Sequence, residues 1–431
     1  MLRSQSLRPV LGLFALSLGL CGLLFLTPIL SGRVGKPKPS DLSWKNPVWA
    51  KQVAFTPDGS TVVTLDISGN CARWDAKTGR SLSSRRFLDA QYLTPDGASV
   101  VGLDYGKPGK KFSMPNWPDS LYPVSKGLVV TRGSNKQLVY AYPYTNRVLK
   151  SFDIQSGQLQ WKQHIPERPE AFRLSSDEIL AVSNDHVWLE VRFPYQGLRM
   201  QKNVHVFSRR EGRLIKSVTL PYDVDPERVA APVFLRNGDL LYNKNSWSRD
   251  KDPSQVDYVE LQSESGPRRF KLGESQPGLW LESWEPMAFN KDFELLAGTR
   301  PLRENAYNSR EIFLWGAQGQ LRWKIQQADF IPRNMSFSPD SRYLAIGGID
   351  QRTLAQSNDG RLIVYEVATG KVVKELTETT WVDYAKRPVM KYTKAPTPGF
   401  MGLPIHLAWS PDSRQLAVSY GPQGIRVWKI R

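Results

Sequence analysis

"VAFTPDGSTVVTLD", residues 53–66, sets two short apolar runs on either side of a Thr-Pro-Asp-Gly corner. Proline presets the backbone entering a turn, aspartate bonds its own backbone two residues on, and glycine takes up the left-handed conformation. Two β-rich runs joined by such a corner predict a β-hairpin. The same pattern returns along the chain: "FTPDG" at Asp58, "LTPDG" at Asp96, "LSSDE" at Asp177, "FLRNGD" at Asn237, "FNKDF" at Asp292, "FSPDS" at Asp340 and "WSPDS" at Asp412 each separate two apolar runs. Seven hairpins are expected.

A second marker follows most of these copies. "RWDAKTGRSL", "SFDIQSGQLQW", "VFSRREGRLI", "ELQSESGPRRF", "LWGAQGQLRW" and "VYEVATGKVV" place Gly79, Gly157, Gly212, Gly266, Gly319 and Gly370 between two further alternating runs. Each unit therefore reads as four antiparallel strands, a to d. A small sheet of this kind buries both faces only by stacking on its neighbours, which is the logic of an all-β propeller.

"GNCARWD" (residues 69–75), "GRLIVYE" (360–366) and "GIRVWK" (424–429) resemble the third strand of WD-repeat units, and the Phe-Ser/Thr-Pro-Asp-Gly/Ser corner is similar to that of bacterial WD-repeat-like propellers. The resemblance covers residues 41–431 and implies a propeller of four-stranded blades. After Asp412 the chain reaches "IRVWKIR" and stops, with a third strand but no fourth, while "SDLSWKNPVW" (residues 40–49) precedes the first unit and has the length of the missing strand. An N-terminal strand that completes the last blade would join both chain ends and remove exposed sheet edges. Seven blades are expected. The corners lie 38, 81, 60, 55, 48 and 72 residues apart, against about 40–45 for an ordinary WD unit. The longest gap could hold an eighth blade around "LYPVSKGLVVTRGSNKQLVYAYPY".

The added length falls mainly between strands b and c of each unit and in a long link from Thr377 to Pro404. In a four-stranded meander these connections share one end. Long connections on a rigid frame are where binding residues gather. The candidate partner-binding residues are Trp117, Trp188, Tyr195, Trp247, Arg249, Tyr307, Trp381, Tyr384, Arg387 and Lys391. Aromatic side chains interleaved with arginine are typical interface anchors. The plainer reading is that these rings pack the insertions onto the frame.

The N-terminus carries its own signal. Residues 10–30, within "PVLGLFALSLGLCGLLFLTPILS", form an uncharged and mostly apolar run of 21 residues, long enough as a helix to cross a hydrocarbon core of about 30 Å. Residues 1–31 are expected to be a single-pass anchor, with a cleaved secretory signal as the alternative. Residues 32–40 form a linker and residues 41–431 the propeller, expected outside the cytoplasm.

Formal net charge is +17, with 40% apolar and 11% aromatic residues. That surface suits an anionic partner or anionic lipid, and it equally suits plain solubility. Acidic residues interrupt the basic ones in the insertions and no nucleic-acid module is visible, so nucleic acid is disfavoured. Two cysteines imply no disulfide framework, and four scattered histidines imply no zinc site. No metal or cofactor is expected, and no nucleophile elbow, phosphate loop or zinc-protease motif occurs.

"DIQSGQLQW" (residues 153–161) is similar to the Asp-x-x-Thr-Gly-x-x-x-Trp signature of quinoprotein dehydrogenase propellers, and "GAQGQLRW", ending at Trp323, is a partial second copy. The resemblance implies a tryptophan docked between blades. Membrane-anchored binding or scaffolding of a protein partner is thus the expected function. The alternative is a propeller enzyme, either a quinoprotein-like oxidoreductase or a lyase or hydrolase at a central channel.

Overall fold

The computed structural model describes residues 41–104, 121–124, 127–132, 135–137, 148–165, 177–182, 185–192, 201–221, 233–234, 240–243, 258–263, 266–271, 287–292, 294–301, 310–350, 359–378, 405–421 and 423–431. The apolar run expected to cross a membrane lies outside them. Among the described residues no helix is long and apolar enough to do so.

Strands dominate, and they assemble into four-stranded antiparallel sheets in chain order. The first sheet comprises Gln52–Phe55, Thr61–Leu65, Asn70–Asp75 and Ser81–Arg86; the second Ala90–Leu93, Ser99–Asp104, Val148–Asp153 and Leu159–His164. The third holds Asp177–Val182, His186–Arg192, Gln201–Ser208 and Leu214–Pro221, and the fourth Val233–Phe234, Leu240–Asn243, Tyr258–Ser263 and Gly266–Lys271. Met287–Phe289, Leu295–Pro301, Arg310–Gly316 and Leu321–Gln327 make the fifth, and Phe330–Phe337, Tyr343–Asp350, Asp359–Glu366 and Val372–Glu378 the sixth. In the last, His406–Trp409, Gln415–Ser419 and Ile425–Lys429 are joined by Leu42–Asn46 from the other end of the chain. That strand pairs antiparallel with Ile425–Lys429, placing Trp44 opposite Val427 and Asn46 opposite Ile425.

The corners hold because their side chains repeat one hydrogen-bond pattern. Asp58 accepts from the Thr56 hydroxyl at 2.6 Å, the Ser60 N–H at 3.1 Å and the Ser60 hydroxyl at 2.7 Å, while the Thr61 N–H donates to Thr56 Oγ1 at 3.1 Å. Asp96, Asp340 and Asp412 accept likewise from the hydroxyl two residues before and the N–H two residues after. These donors, the Thr56 hydroxyl foremost, pull the Asp58 carboxyl down to about 2.

Two expectations change. Asp177 opens a strand instead of sitting in a corner, and the hairpin between Val182 and His186 lies beyond it. "LSSDE" has neither the Pro of "FTPDG", "LTPDG", "FSPDS" and "WSPDS" nor the Asn of "FNKDF", whereas Asn184 and Asp185 in the actual connection are strong turn formers. The strands in the longest gap, Leu121–Val124, Gly127–Arg132 and Asn135–Gln137, form a separate three-stranded sheet. It interrupts the second sheet between its second and third strands, where Asp104 and Val148 stand opposite one another.

Among the described residues several neighbouring sheets pack face to face through apolar clusters. Ala345, Leu362, Val364 and Leu376 of the sixth meet Leu407, Leu416, Val418 and Trp428 of the last. Val53, Phe55, Val62 and Trp74 of the first meet Trp44, Ala417, Ile425 and Val427 of the last. The first strands form the contact row: Gln52–Phe55 lies against both His406–Trp409 and Ala90–Leu93, and Phe330–Phe337 against both Met287–Phe289 and His406–Trp409.

A tryptophan latch spans three of these interfaces. From the outermost strand of one sheet, the indole N–H donates to a backbone carbonyl of the next: Trp44 to Ala76 at 2.8 Å, Trp161 to Arg209 at 2.7 Å and Trp323 to Val367 at 2.7 Å. Each accepting carbonyl lies three residues before a glycine, and the ring covers that glycine. A methyl group on Gly79 would meet the Trp44 ring at 2.7 Å, and one on Gly212 the Trp161 ring at 2.5 Å. Both glycines also adopt positive φ, +71° and +68°, so turn geometry and ring contact each demand the missing side chain. Lys374 makes the same bridge between the sixth and last sheets, donating to the Lys429 carbonyl at 2.6 Å and pairing with Asp41 at 3.1 Å. Arg85 covers Gly157 between the first and second.

Candidate functional site

In each meander the start of the first strand shares its end with the close of the second and the opening of the third. Phe330 stands opposite Asp350, and Asp350 opposite Asp359. Chain segments 105–147, 193–200, 244–257, 302–309 and 351–358 all leave from this end.

Among the described residues several charges there are matched. Lys150 pairs with Asp104 and lies 3.9 Å from Asp89; Arg361 pairs with Glu375 at 2.9 Å, and Lys324 with Glu311 at 3.5 Å. Burial, with the neighbouring Asp104 charge in the same direction, raises the Asp89 carboxyl against the pull of Lys150.

Three first strands bring together a different set. Lys51, at the entry to the first sheet, sends Nζ to the Gln91 carbonyl at 3.4 Å and over the Tyr92 ring, 4.9 Å from its centroid. Among the described residues no carboxylate contacts this ammonium, and desolvation lowers its pKa. Gln52 beside it locks the first sheet to the second, its Oε1 accepting the Leu93 N–H at 2.6 Å. From the last sheet His406 reaches in, and Nδ1 accepts the Val53 N–H in a long hydrogen bond of 3.5 Å. That bond leaves the imidazole proton on Nε2. Burial pushes the His406 pKa down to about 4, and the charge of Lys51 acts in the same direction.

The His406 shift carries a stability consequence. An unfolded histidine titrates near 6.5, so between that value and about 4 the unfolded chain binds a proton that the folded chain refuses. Stability is therefore fully present above pH 6.5 and falls as pH drops toward 4, by up to about 3 kcal/mol. Denaturant midpoints measured across this range will show the fall, and His406→Gln will flatten most of it. His186, which burial also lowers, contributes in the same direction. Equal slopes in the two proteins would refute the assignment.

Of the ten residues expected to bind a partner, Trp117, Tyr195, Trp247, Arg249, Tyr307, Trp381, Tyr384, Arg387 and Lys391 lie outside the described residues. Trp188 was expected on an insertion and instead stands within the strand His186–Arg192, opposite Ala181 on one side and Val206 on the other. The Lys51, Tyr92 and His406 cluster is not legible in the sequence, because no motif links positions so far apart. Cys71 is buried, and desolvation pushes its thiol up to about 12, which leaves it inert at neutral pH. Among the described residues no group of three or more His, Cys, Asp or Glu is arranged to hold a metal. No protein-family model matches the chain, and no curated protein matches it.

Proposed function

We propose that the chain is a membrane-anchored, seven-bladed β-propeller of WD-repeat-like type that serves as a binding and scaffolding module for a protein partner. The observation that carries the reading is the common end from which the long connections leave sheets held together by latches. A rigid frame of this kind presents several irregular segments at fixed separations, which lowers the ordering cost of recognition. In this reading Leu42–Asn46 closes the ring as the outer strand of the last blade, and residues 1–31 hold the module at a membrane facing away from the cytoplasm. The three-stranded sheet within residues 121–137 is an ornament on the second blade.

Register makes the test practical. Asp104 faces Val148 and Pro301 faces Arg310, so segments 105–147 and 302–309 can each be replaced by a short Gly-Ser turn that keeps the flanking strands in register, the first replacement removing the three-stranded sheet as well. Such variants will unfold within a few degrees of the intact protein. Purified from detergent-solubilised native membranes, the intact chain will carry a stoichiometric protein partner that the shortened variants lack. A partner retained in full by both variants would remove this face from the function. An intact chain that emerges alone with an absorbing cofactor would replace the binding module with an enzyme.

A further inference from the structure

We propose that Lys51, Tyr92 and His406 form a receptor for a single carboxylate, supplied by an acidic side chain or the C-terminus of the protein partner. The inference rests on the binding-module reading and names the chemistry that module recognises at the centre of its face.

Four observations converge. The Lys51 ammonium is half-buried and, among the described residues, touches only a carbonyl oxygen and an aromatic face. Burying a cation on such weak partners is costly, and a carboxylate brought to it would gain a charge-assisted hydrogen bond. His406 has Nδ1 engaged by the Val53 N–H, so its Nε2–H is the remaining donor. Tyr92 turns its ring face to the ammonium and keeps its phenol proton at neutral pH, burial raising its pKa further. All three stand on or just before first strands, in three sheets of which the first contacts the other two.

Charge selects among anions. At neutral pH His406 is uncharged, so the cluster carries one positive charge and a neutral donor. That set balances a monoanion. A phosphate dianion would bring one uncompensated charge into a partly desolvated site. The ion-paired lysines and arginines at the same end of the other sheets have their carboxylates already, as with Arg361 and Glu375; here the partner supplies it. Capture of a lone carboxylate by preorganised donors is a recurrent mode of peptide recognition.

The test uses the full chain in detergent with histidine side chains isotopically labelled. It is titrated with a blocked pentapeptide bearing one central glutamate, its glutamine counterpart, and inorganic phosphate. The glutamate peptide is expected to shift the His406 ring signal and to protect Lys51 from acetylation, the glutamine peptide to do neither, and phosphate to bind more weakly. Lys51→Met should weaken the response at least about tenfold, while Lys51→Arg keeps part of it. A His406 signal that ignores both anions, or responds equally in Lys51→Met, overturns the proposal. Tighter binding of phosphate than of glutamate would overturn the carboxylate assignment. No partner enters this titration, so its failure leaves the co-purification result standing, and loss of the partner reading leaves the titration interpretable.

Discussion

A chain beginning at residue 49 will be recovered largely aggregated, or will unfold at least about 10 °C below a chain beginning at residue 39. Only the strand Leu42–Asn46 and its flanks distinguish the two. That strand covers Ile425, Val427 and Trp428, all buried, and removing it turns the third strand of the last sheet into an open apolar edge. Open edges of that kind template association with other chains. Trp44 goes with it, and with Trp44 a buried indole packed on Val53, Phe55 and Trp74, along with the hydrogen bond to Ala76 that ties the last sheet to the first. Loss of a buried Trp side chain alone costs about 3–5 kcal/mol, a large share of the about 5–15 kcal/mol that separates a folded domain from its unfolded chain. The Asp41 contact with Lys374 adds little by comparison. Supplying residues 39–50 as a peptide should restore part of the midpoint. Equal midpoints for the two chains, by circular dichroism, would mean that joining the ends contributes nothing.

Trp161→Ala is expected to cost about 3–5 kcal/mol, and Gly212→Ala to cost about 2 kcal/mol or more from positive φ and the ring it would strike. The pair is informative because the two penalties share a cause. Trp161 lies 8% exposed, against Val101, Leu149 and Phe207, and its indole N–H reaches the Arg209 carbonyl. Once the ring is gone, a methyl group at position 212 has nothing to strike. The double variant should therefore be more stable than the sum of the single losses predicts, by at least about 1 kcal/mol. Trp161→Phe keeps most of the packing and forfeits the hydrogen bond, for about 1 kcal/mol. Urea unfolding of the four proteins closes the cycle, and strict additivity would show that the ring and the glycine turn do not act as one latch.

What the sequence determined by itself is local chemistry. Asp58, Asp96, Asp340 and Asp412 were legible as corners because the hydrogen bonds that define them run between residues two to five positions apart. The glycines at 79, 157, 212, 319 and 370 were legible for the same reason: a turn of four or five residues is specified by its own side chains. Alternation of apolar residues then marked most strands. Where that chemistry was weak, at "LSSDE", the hairpin shifted along the chain, since neither a Pro nor an Asn such as Asn290 of "FNKDF" held it in place.

The tertiary structure alone decided everything that depends on one sheet meeting another. Trp161 and Trp323 carried a recognisable motif, but the carbonyls they reach lie 48 and 44 residues on, and nothing in the motif names them. Trp44 carried no motif at all, because its own strand joins a sheet made from the far end of the chain. The candidate site is the extreme case: Val53 and His406 are 353 positions apart and meet only when the first and last sheets pack. Local backbone preference cannot encode such a meeting. It arises from the burial of apolar faces that no single sheet can cover, and the side chains left at the rim of that packing, Lys51, Tyr92 and His406, become neighbours as its consequence.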